Sequence, residues 1–335
     1  MSATAFVLAA GLGTRLAPLT QHRPKALVPV CGIPMLGWAL AACARHGHRE
    51  VVVNAFHLAD QVTPWAGERE GVQVHVVVER PEILGTGGGL RAARHLLDER
   101  VVVLNVDVLH DVDLGALLAA VRPGGAAMAL RPDAHDADRY GHVSADATDT
   151  VVRLVDLAST APAGVQRDDT HFTGLHALDR STLALVHEGP ACIVRTVYRT
   201  LVPQRRVRAL RHPGTWLDVG DPAAYLAANL AVLTTRVGLP LDPLPRAAWA
   251  VTARGDHGRP PAGVTVDGTA WVGPDAELGA GVRLRDTVVG AGARVAPGAD
   301  LCRCVVWDGA VVPPGPARDT VFLGRTSYAV HPEPA

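Results

Sequence analysis

The segment Leu8-Ala9-Ala10-Gly11-Leu12-Gly13-Thr14-Arg15-Leu16, with Pro24-Lys25 downstream, is the stretch of the chain best suited to chemistry. An apolar strand delivers the chain into a turn with two glycines, where backbone N–H groups can approach phosphate oxygens closely. Arg15 and Lys25 add positive charge from side chains. A dinucleotide fingerprint would need a third glycine where Leu16 stands, and a Walker loop would need Gly-Lys-Ser/Thr, which is absent. A triphosphate loop of another design remains. Lysine and arginine total 32, and Lys25 is the single lysine among them. A GC-rich genome accounts for the arginine bias but not for where the one lysine survives. A compact ammonium and a planar guanidinium are not interchangeable at a tight phosphate site.

Three further patterns fit the same chemistry. Glu79-Arg80-Pro81 precedes Leu84-Gly85-Thr86-Gly87-Gly88-Gly89, and glycines before a helix let backbone pack closely on a flat ring. Asp107 follows a run of valines, so it falls at the carboxyl end of a central strand, where α/β sites form. Trp216-Leu217-Asp218-Val219-Gly220 carries a second carboxylate, too far along the chain from Asp107 for local spacing to pair them.

The elements that must position these residues alternate. Strands are expected at Ala5–Ala9, Glu50–Asn54, Val72–Glu79 and Val101–Asn105, with helices at Pro34–Arg45, Leu58–Ala66, from Gly87 to Asp98, and Asp113–Val121. Further strands follow at Ala126–Arg131, Val151–Val155, Thr170–Leu178 and Val207–Leu210, and Asp221–Leu233 closes the unit as a helix. This order predicts an α/β fold with a doubly wound, mostly parallel Rossmann-like sheet. The proline-bearing stretch 236–263 reads as a linker. Beyond it aliphatic residues recur every sixth position at Val266, Val272, Leu278 and Leu284, then, after one-residue slips, at Val289, Val295, Leu301, Val306 and Val312. Such hexapeptide repeats mark a short left-handed parallel β-helix, at about three coils. The expected domains are therefore 1–235, the linker, the β-helix at 264–325 and a tail at 326–335.

Composition excludes other classes. Charged residues are 19% and hydrophobic residues 48%, a globular balance, and a net charge of −1 lacks the basic excess of a nucleic-acid binder. No apolar run is long enough to span a bilayer. Ala5–Ala10 has no basic region before it and runs into a turn, so it does not read as a signal peptide. The five cysteines show no Cys-x-x-Cys spacing, as expected of buried free thiols in a cytoplasmic protein.

The loop and its continuation Pro-Lys-Ala-Leu-Val-Pro-Val resemble the signature of the sugar-1-phosphate nucleotidylyltransferases, which include mannose-1-phosphate guanylyltransferases. The likeness extends over most of residues 3–233, and the hexapeptide tail is similar to the β-helix appended to many members. It implies that a nucleoside triphosphate and a sugar 1-phosphate are joined, with pyrophosphate leaving, and GTP with mannose 1-phosphate as the favoured pair. It also implies Mg²⁺ on Asp107 and Asp218 as cofactor, with Arg15 and Lys25 as catalytic cations. Ala10, Gly11, Gly13, Thr14, Glu79, Gly85, Thr86 and Gly87 would bind nucleotide. Tyr140, Gly141, Asp156, Thr173 and Gly174 would line the sugar pocket. Val106 replaces the family's usual glycine beside Asp107. The family's Glu-Lys-Pro is absent near residue 153, where the chain reads Leu154-Val155-Asp156-Leu157; Arg153 or Arg180 would have to replace its lysine. That gap favours a catalytically silent, nucleotide-sugar-binding regulatory subunit, which the intact loop and aspartates oppose. An acyltransferase run by the β-helix is disfavoured, because 264–325 contain no histidine. The oligomeric state is open, the β-helix being the surface through which copies of the chain would associate.

Overall fold

A computed structural model describes residues 4–161, 168–234, 239–241, 247–252 and 256–330. Much of the expected linker (236–238, 242–246 and 253–255) and the end of the tail (331–335) lie outside the described residues. The chain divides into two compact units. The first comprises Met1–Leu12, Pro24–Ala26 and Ala39–Trp216, and the second Gly13–Arg23, Leu27–Trp38 and Leu217–Ala335.

The strands of the first unit are β1 (Thr4–Leu8), β2 (Glu50–Ala55), β3 (Gly67–Arg69), β4 (Val72–Val78), β5 (Arg100–Asn105), β6 (Ala126–Pro132), β7 (Thr170–Asp179) and β8 (Val207–Arg211), with valine-rich runs in β2, β4 and β5. They make one eight-stranded sheet in the order β8-β6-β7-β5-β1-β2-β4-β3. β1 pairs in parallel with β2 and β5, and β2 with β4, so the carboxyl ends of four central strands share one edge. β7 runs antiparallel to both of its neighbours, β5 and β6. The sheet is thus mostly parallel but mixed, since an antiparallel strand buried on both faces reads in sequence like a parallel one. Phe6, Val52, Val101, Val103, Met128, Leu178 and Tyr198 belong to its core.

Helices lie at α1 (Met35–Arg45), α2 (Gly85–Ala92), α3 (Leu114–Ala119), α4 (Ala134–Tyr140) and α5 (Pro222–Thr234). α4 was not expected as a helix. It is short and polar, and starts at an N-cap, Asp133, whose side chain accepts from Asp136 N at 3.1 Å. The helix expected over Leu58–Ala66 is a single α-turn, Ala59–Val62, continued by a 3₁₀ turn containing Pro64.

In the second unit the sixfold repeat becomes three parallel ladders that fit a β-helix. Val266, Leu284, Leu301 and Ala317 stack in one, Val272, Val289, Val306 and Phe322 in the next, and Leu278, Val295 and Val312 in the third. The slips in the repeat shorten the coils without breaking register. Val272, Leu284, Val289, Val295, Leu301, Val306, Val312 and Phe322 are buried together, so every repeat aliphatic from Leu284 to Val312 points inward. Part of the stretch read as a linker, Trp249–Val251, is a strand paired antiparallel to Ala270–Val272, and Thr326–Ala329 of the tail pairs with Thr320–Leu323. Cys304 is buried in this core, and burial pushes its thiol up to about 12, as it does that of Cys43 in α1, so both act as inert packing groups. Among the described residues no helix is long and apolar enough to cross a membrane.

Two buried histidines of the first unit make stability pH-dependent. Burial lowers His110 and His176 to about 3, and the Tyr198 hydroxyl lies 2.6 Å from His176 Nδ1. Their folded pKa lies below the unfolded value, so between about pH 6.5 and 3 the unfolded chain binds the extra protons. Stability is therefore present above pH 6.5 and is lost as pH falls, at up to about 1.4 kcal/mol per pH unit for each histidine. The urea midpoint is expected to fall between pH 7 and pH 5; equal midpoints would contradict the buried, neutral state.

Candidate active site

The carboxyl edge of the first unit is laced together by side chains. Ala9 N donates to Asn54 Oδ1 at 2.7 Å, just past the end of β1. Asn54 Nδ2 donates to Glu79 Oε1 at 2.8 Å, and Leu84 N donates to Glu79 Oε2 at 2.6 Å. Asn54 and Glu79 are both buried. The tips of β1, β2 and β4 and the second glycine turn are thus fixed to one another. Glu79, expected beside the nucleotide, has both carboxyl oxygens engaged by the protein. A Cβ on Gly89 would lie 2.6 Å from Glu79 Oε1, which explains that glycine. Asn54 is a residue the sequence reading missed. Its signal was its place at the end of Val51–Val53, the same position that singled out Asp107.

The second glycine turn opens α2. Gly87 N and Gly88 N donate to Ala191 O at 2.8 and 3.2 Å, and Ile193 N donates to Thr86 Oγ1 at 2.9 Å. Cβ atoms at Gly85, Gly87 and Gly88 would stand 3.0, 3.2 and 2.6 Å from carbonyl oxygens of Ala191 and Gly189. Close approach of the 189–193 backbone therefore accounts for this glycine run. Gly11 differs: a Cβ there would meet nothing within 4 Å, and its φ is not in the left-handed region. Neither packing nor backbone conformation asks for glycine at 11.

Lys25 and Asp107 come together. Val106 N donates to Leu8 O at 3.2 Å, holding the turn after β5 against β1, and Lys25 Nζ forms an ion pair with Asp107 Oδ2. Their side chains are 10% and 18% exposed. The only lysine in the chain is thus tucked against the carboxylate at the central strand end.

Of the expected sugar residues, Thr173 and Gly174 lie in β7 and Tyr140 packs against it. Its register shifts between Phe172 and His176, and Thr173 and Gly174 sit in that irregularity. A Cβ on Gly174 would lie 2.4 Å from Asn105 Nδ2, two residues before Asp107. Thr173 Oγ1 donates to Ala129 O at 2.9 Å, and Trp216 Nε1 donates to Thr173 O at 2.8 Å. Tyr140, at the end of α4, packs against His171 and Trp216, with ring centroids 5.5 and 5.4 Å away. Gly141 follows with φ +96°, and a Cβ there would press on Val155 at 3.0 Å. Asp156 is exposed on the next turn. His171 was not anticipated; it is buried, with Nε2 3.7 Å from Asp136, and burial lowers its proton affinity.

In the second unit Gly13 takes the left-handed conformation, φ +65°, and starts the 3₁₀ turn Thr14–Leu16. Its carbonyl accepts from Leu16 N at 3.0 Å and Thr20 Oγ1 at 2.8 Å, which leaves Thr14 and Arg15 exposed. A Cβ on Gly220 would lie 2.6 Å from Asp218 Oδ2 and 3.3 and 3.4 Å from the two terminal nitrogens of Arg15. Arg15 and Asp218 therefore flank one point of backbone that only glycine leaves open.

These features match a known family. The family described as nucleotidyl transferase matches residues 4–235, and the chain belongs to it. The N-acetylmuramate alpha-1-phosphate uridylyltransferase of Caulobacter vibrioides is 34% identical over 242 residues, covering 67% of this chain and 95% of that protein. The mannose-1-phosphate guanylyltransferase of Mycobacterium tuberculosis is 29% identical over 318 residues, covering 93% of this chain and 81% of that one. A probable mannose-1-phosphate guanylyltransferase of Oryza sativa is 30% identical over 92% of this chain and 82% of its own length. The protein is a nucleotidyltransferase.

Proposed function

We propose that the protein joins a nucleoside triphosphate to a sugar 1-phosphate, with GTP and mannose 1-phosphate the favoured pair. The observation that carries the transfer is the pairing of Lys25 with Asp107 at the central strand end. The preference for GTP and mannose rests on coverage: the guanylyltransferase matches extend over more than nine-tenths of the chain and so include the repeat region. The higher identity to a uridylyltransferase supports a second pair, UTP with N-acetylmuramate 1-phosphate.

In the reaction an oxygen of the sugar 1-phosphate attacks the α-phosphorus in line. A new P–O bond forms as the bond to the β-phosphate oxygen breaks, and pyrophosphate carries away the electron pair. The nucleophile is already an anion, so no strong general base is needed; positioning and charge neutralisation are the protein's work. Lys25 neutralises charge near the α-phosphate and Arg15 stabilises departing pyrophosphate. Gly11 and Gly13 let the loop backbone approach the phosphates, with Ala10 and Thr14 beside them. The side chains of Asp107 and Asp218 fit Mg²⁺ in kind, being hard oxygen donors. Among the described residues no group of three or more His, Cys, Asp or Glu could form a complete cage. One or two carboxylates completed by substrate phosphates is a usual setting for this ion, which when bound supplies charge neutralisation across the phosphates. Glu79, Gly85, Thr86 and Gly87 shape the nucleotide side; Tyr140, Gly141, Asp156, Thr173 and Gly174 shape the sugar side. Residues 1–235 carry the transfer, 264–325 form the β-helix, and the protein works in the cytoplasm.

A matrix of nucleoside triphosphates and sugar 1-phosphates, read as pyrophosphate release with Mg²⁺, tests this. GTP with mannose 1-phosphate is expected to turn over fastest. Binding of nucleotide-sugar without turnover of any pair, the two substrate pairs named here included, would identify a silent subunit instead.

A further inference from the structure

The segment that carries Lys25 is tied at both sides to one indole of the repeat region. Trp307, 6% exposed, follows the strand Val305–Val306. The Arg23 guanidinium stands 4.5 Å from the centroid of its ring. Its Nε1 donates to the Tyr225 hydroxyl at 2.9 Å, and that hydroxyl donates to Pro29 O at 2.7 Å. Arg23 lies two residues before Lys25 and Pro29 four residues after it. Asn229, also on α5, adds a third hold: its Oδ1 accepts from Cys31 N at 2.8 Å and its Nδ2 donates to Tyr225 O at 2.9 Å. A second indole closes the turn beyond, since a Cβ on Gly32 would lie 2.1 Å from Trp271. Tyr225 is fully buried, so its hydroxyl depends on these partners.

We propose that Trp307 is a positioning residue: through the Arg23 face contact and the Tyr225–Pro29 chain it fixes the two ends of the strap Arg23–Pro29, the short stretch of chain on which Lys25 is carried. The kinetic consequence rests on the role given to Lys25 above; the anchoring does not. A long flexible side chain on a short loop gains its catalytic worth from a fixed base, and a misplacement of about 1 Å can cost up to about 10²-fold in rate.

The test uses the full chain with Trp307→Leu, Trp307→Phe and Val289→Ala. Leu removes both the ring face and the N–H. Phe keeps a face for Arg23 and loses only the N–H. Val289→Ala weakens the same repeat core without touching the strap. Trp307→Leu is expected to lower kcat about tenfold or more while the KM for the triphosphate stays within about twofold, because Lys25 acts in the transition state. Trp307→Phe falls between Leu and wild type. Val289→Ala lowers the unfolding temperature yet keeps kcat. Amide exchange over residues 24–31 is read on the same variants: it speeds up in Trp307→Leu and not in Val289→Ala. An unchanged kcat in Trp307→Leu, a loss that merely tracks stability as in Val289→Ala, or wild-type protection of 24–31 would overturn the proposal. Exchange does not need turnover, so a wild type that transfers nothing would sink the transfer reading while the anchoring is still decided.

Discussion

Replacing Lys25 by alanine is expected to lower turnover at least about 10²-fold, and Asp107→Ala by as much. Lys25 is mostly buried and paired with Asp107, where no other lysine of the chain could take over. A charge that neutralises a phosphate in a partly desolvated site is worth far more than one at the surface. Lys25→Arg is not expected to restore the rate, because the planar guanidinium needs more room and a different hydrogen-bond geometry than the ammonium. Each single variant leaves a partner charge with less compensation, so thermal unfolding of both must be checked beside pyrophosphate release. Near wild-type release from either folded variant would remove that residue from the mechanism.

The second large effect is on stability. Glu79→Ala is expected to cost about 3 kcal/mol, because it strips partners from the buried Asn54 amide and the half-buried Leu84 N–H and leaves a void at the strand ends. Glu79→Gln should cost less: its carbonyl oxygen can still accept from Leu84 N, but its amide cannot accept from Asn54 Nδ2. The Asn54 amide cannot turn over to compensate, since its oxygen already accepts from Ala9 N. Chemical denaturation of the three proteins gives the order wild type, Gln, Ala. An Ala variant as stable as wild type would show that Glu79 does not lace the strand ends.

What could be read from the sequence follows from range. The Gly11–Arg15 loop and the strand-end position of Asp107 are local patterns, and they fall on the turn and the sheet edge expected of them. The sixfold repeat was legible because each aliphatic is buried by neighbours at a fixed interval, and slips of one residue change coil length rather than register. Long-range partners were not legible. Nothing in Asn54, Glu79 and Leu84 announces that they meet, and Trp307 reads as one more repeat residue until Arg23 and Tyr225 lie against it. The antiparallel direction of β7 was hidden for a related reason: its nearly continuous buried run reads the same whichever way its neighbours run. The glycines at 85, 87 and 88 showed that something approaches closely, not that it is the backbone of 189–193. At Gly11 the same reasoning finds no protein atom within 4 Å, so packing does not account for that glycine.

The most direct measurement follows the phosphorus atoms. GTP labelled at the α-phosphate is incubated with mannose 1-phosphate, Mg²⁺ and the protein, in parallel with GTP labelled at the γ-phosphate and with the matching UTP pair. Attack at the α-phosphorus places the α label in a nucleotide-sugar and the γ label in pyrophosphate, in equal amounts. Release of the γ label as inorganic phosphate, or an α label that stays in free nucleotide with every sugar phosphate offered, would contradict nucleotidyl transfer by this chain.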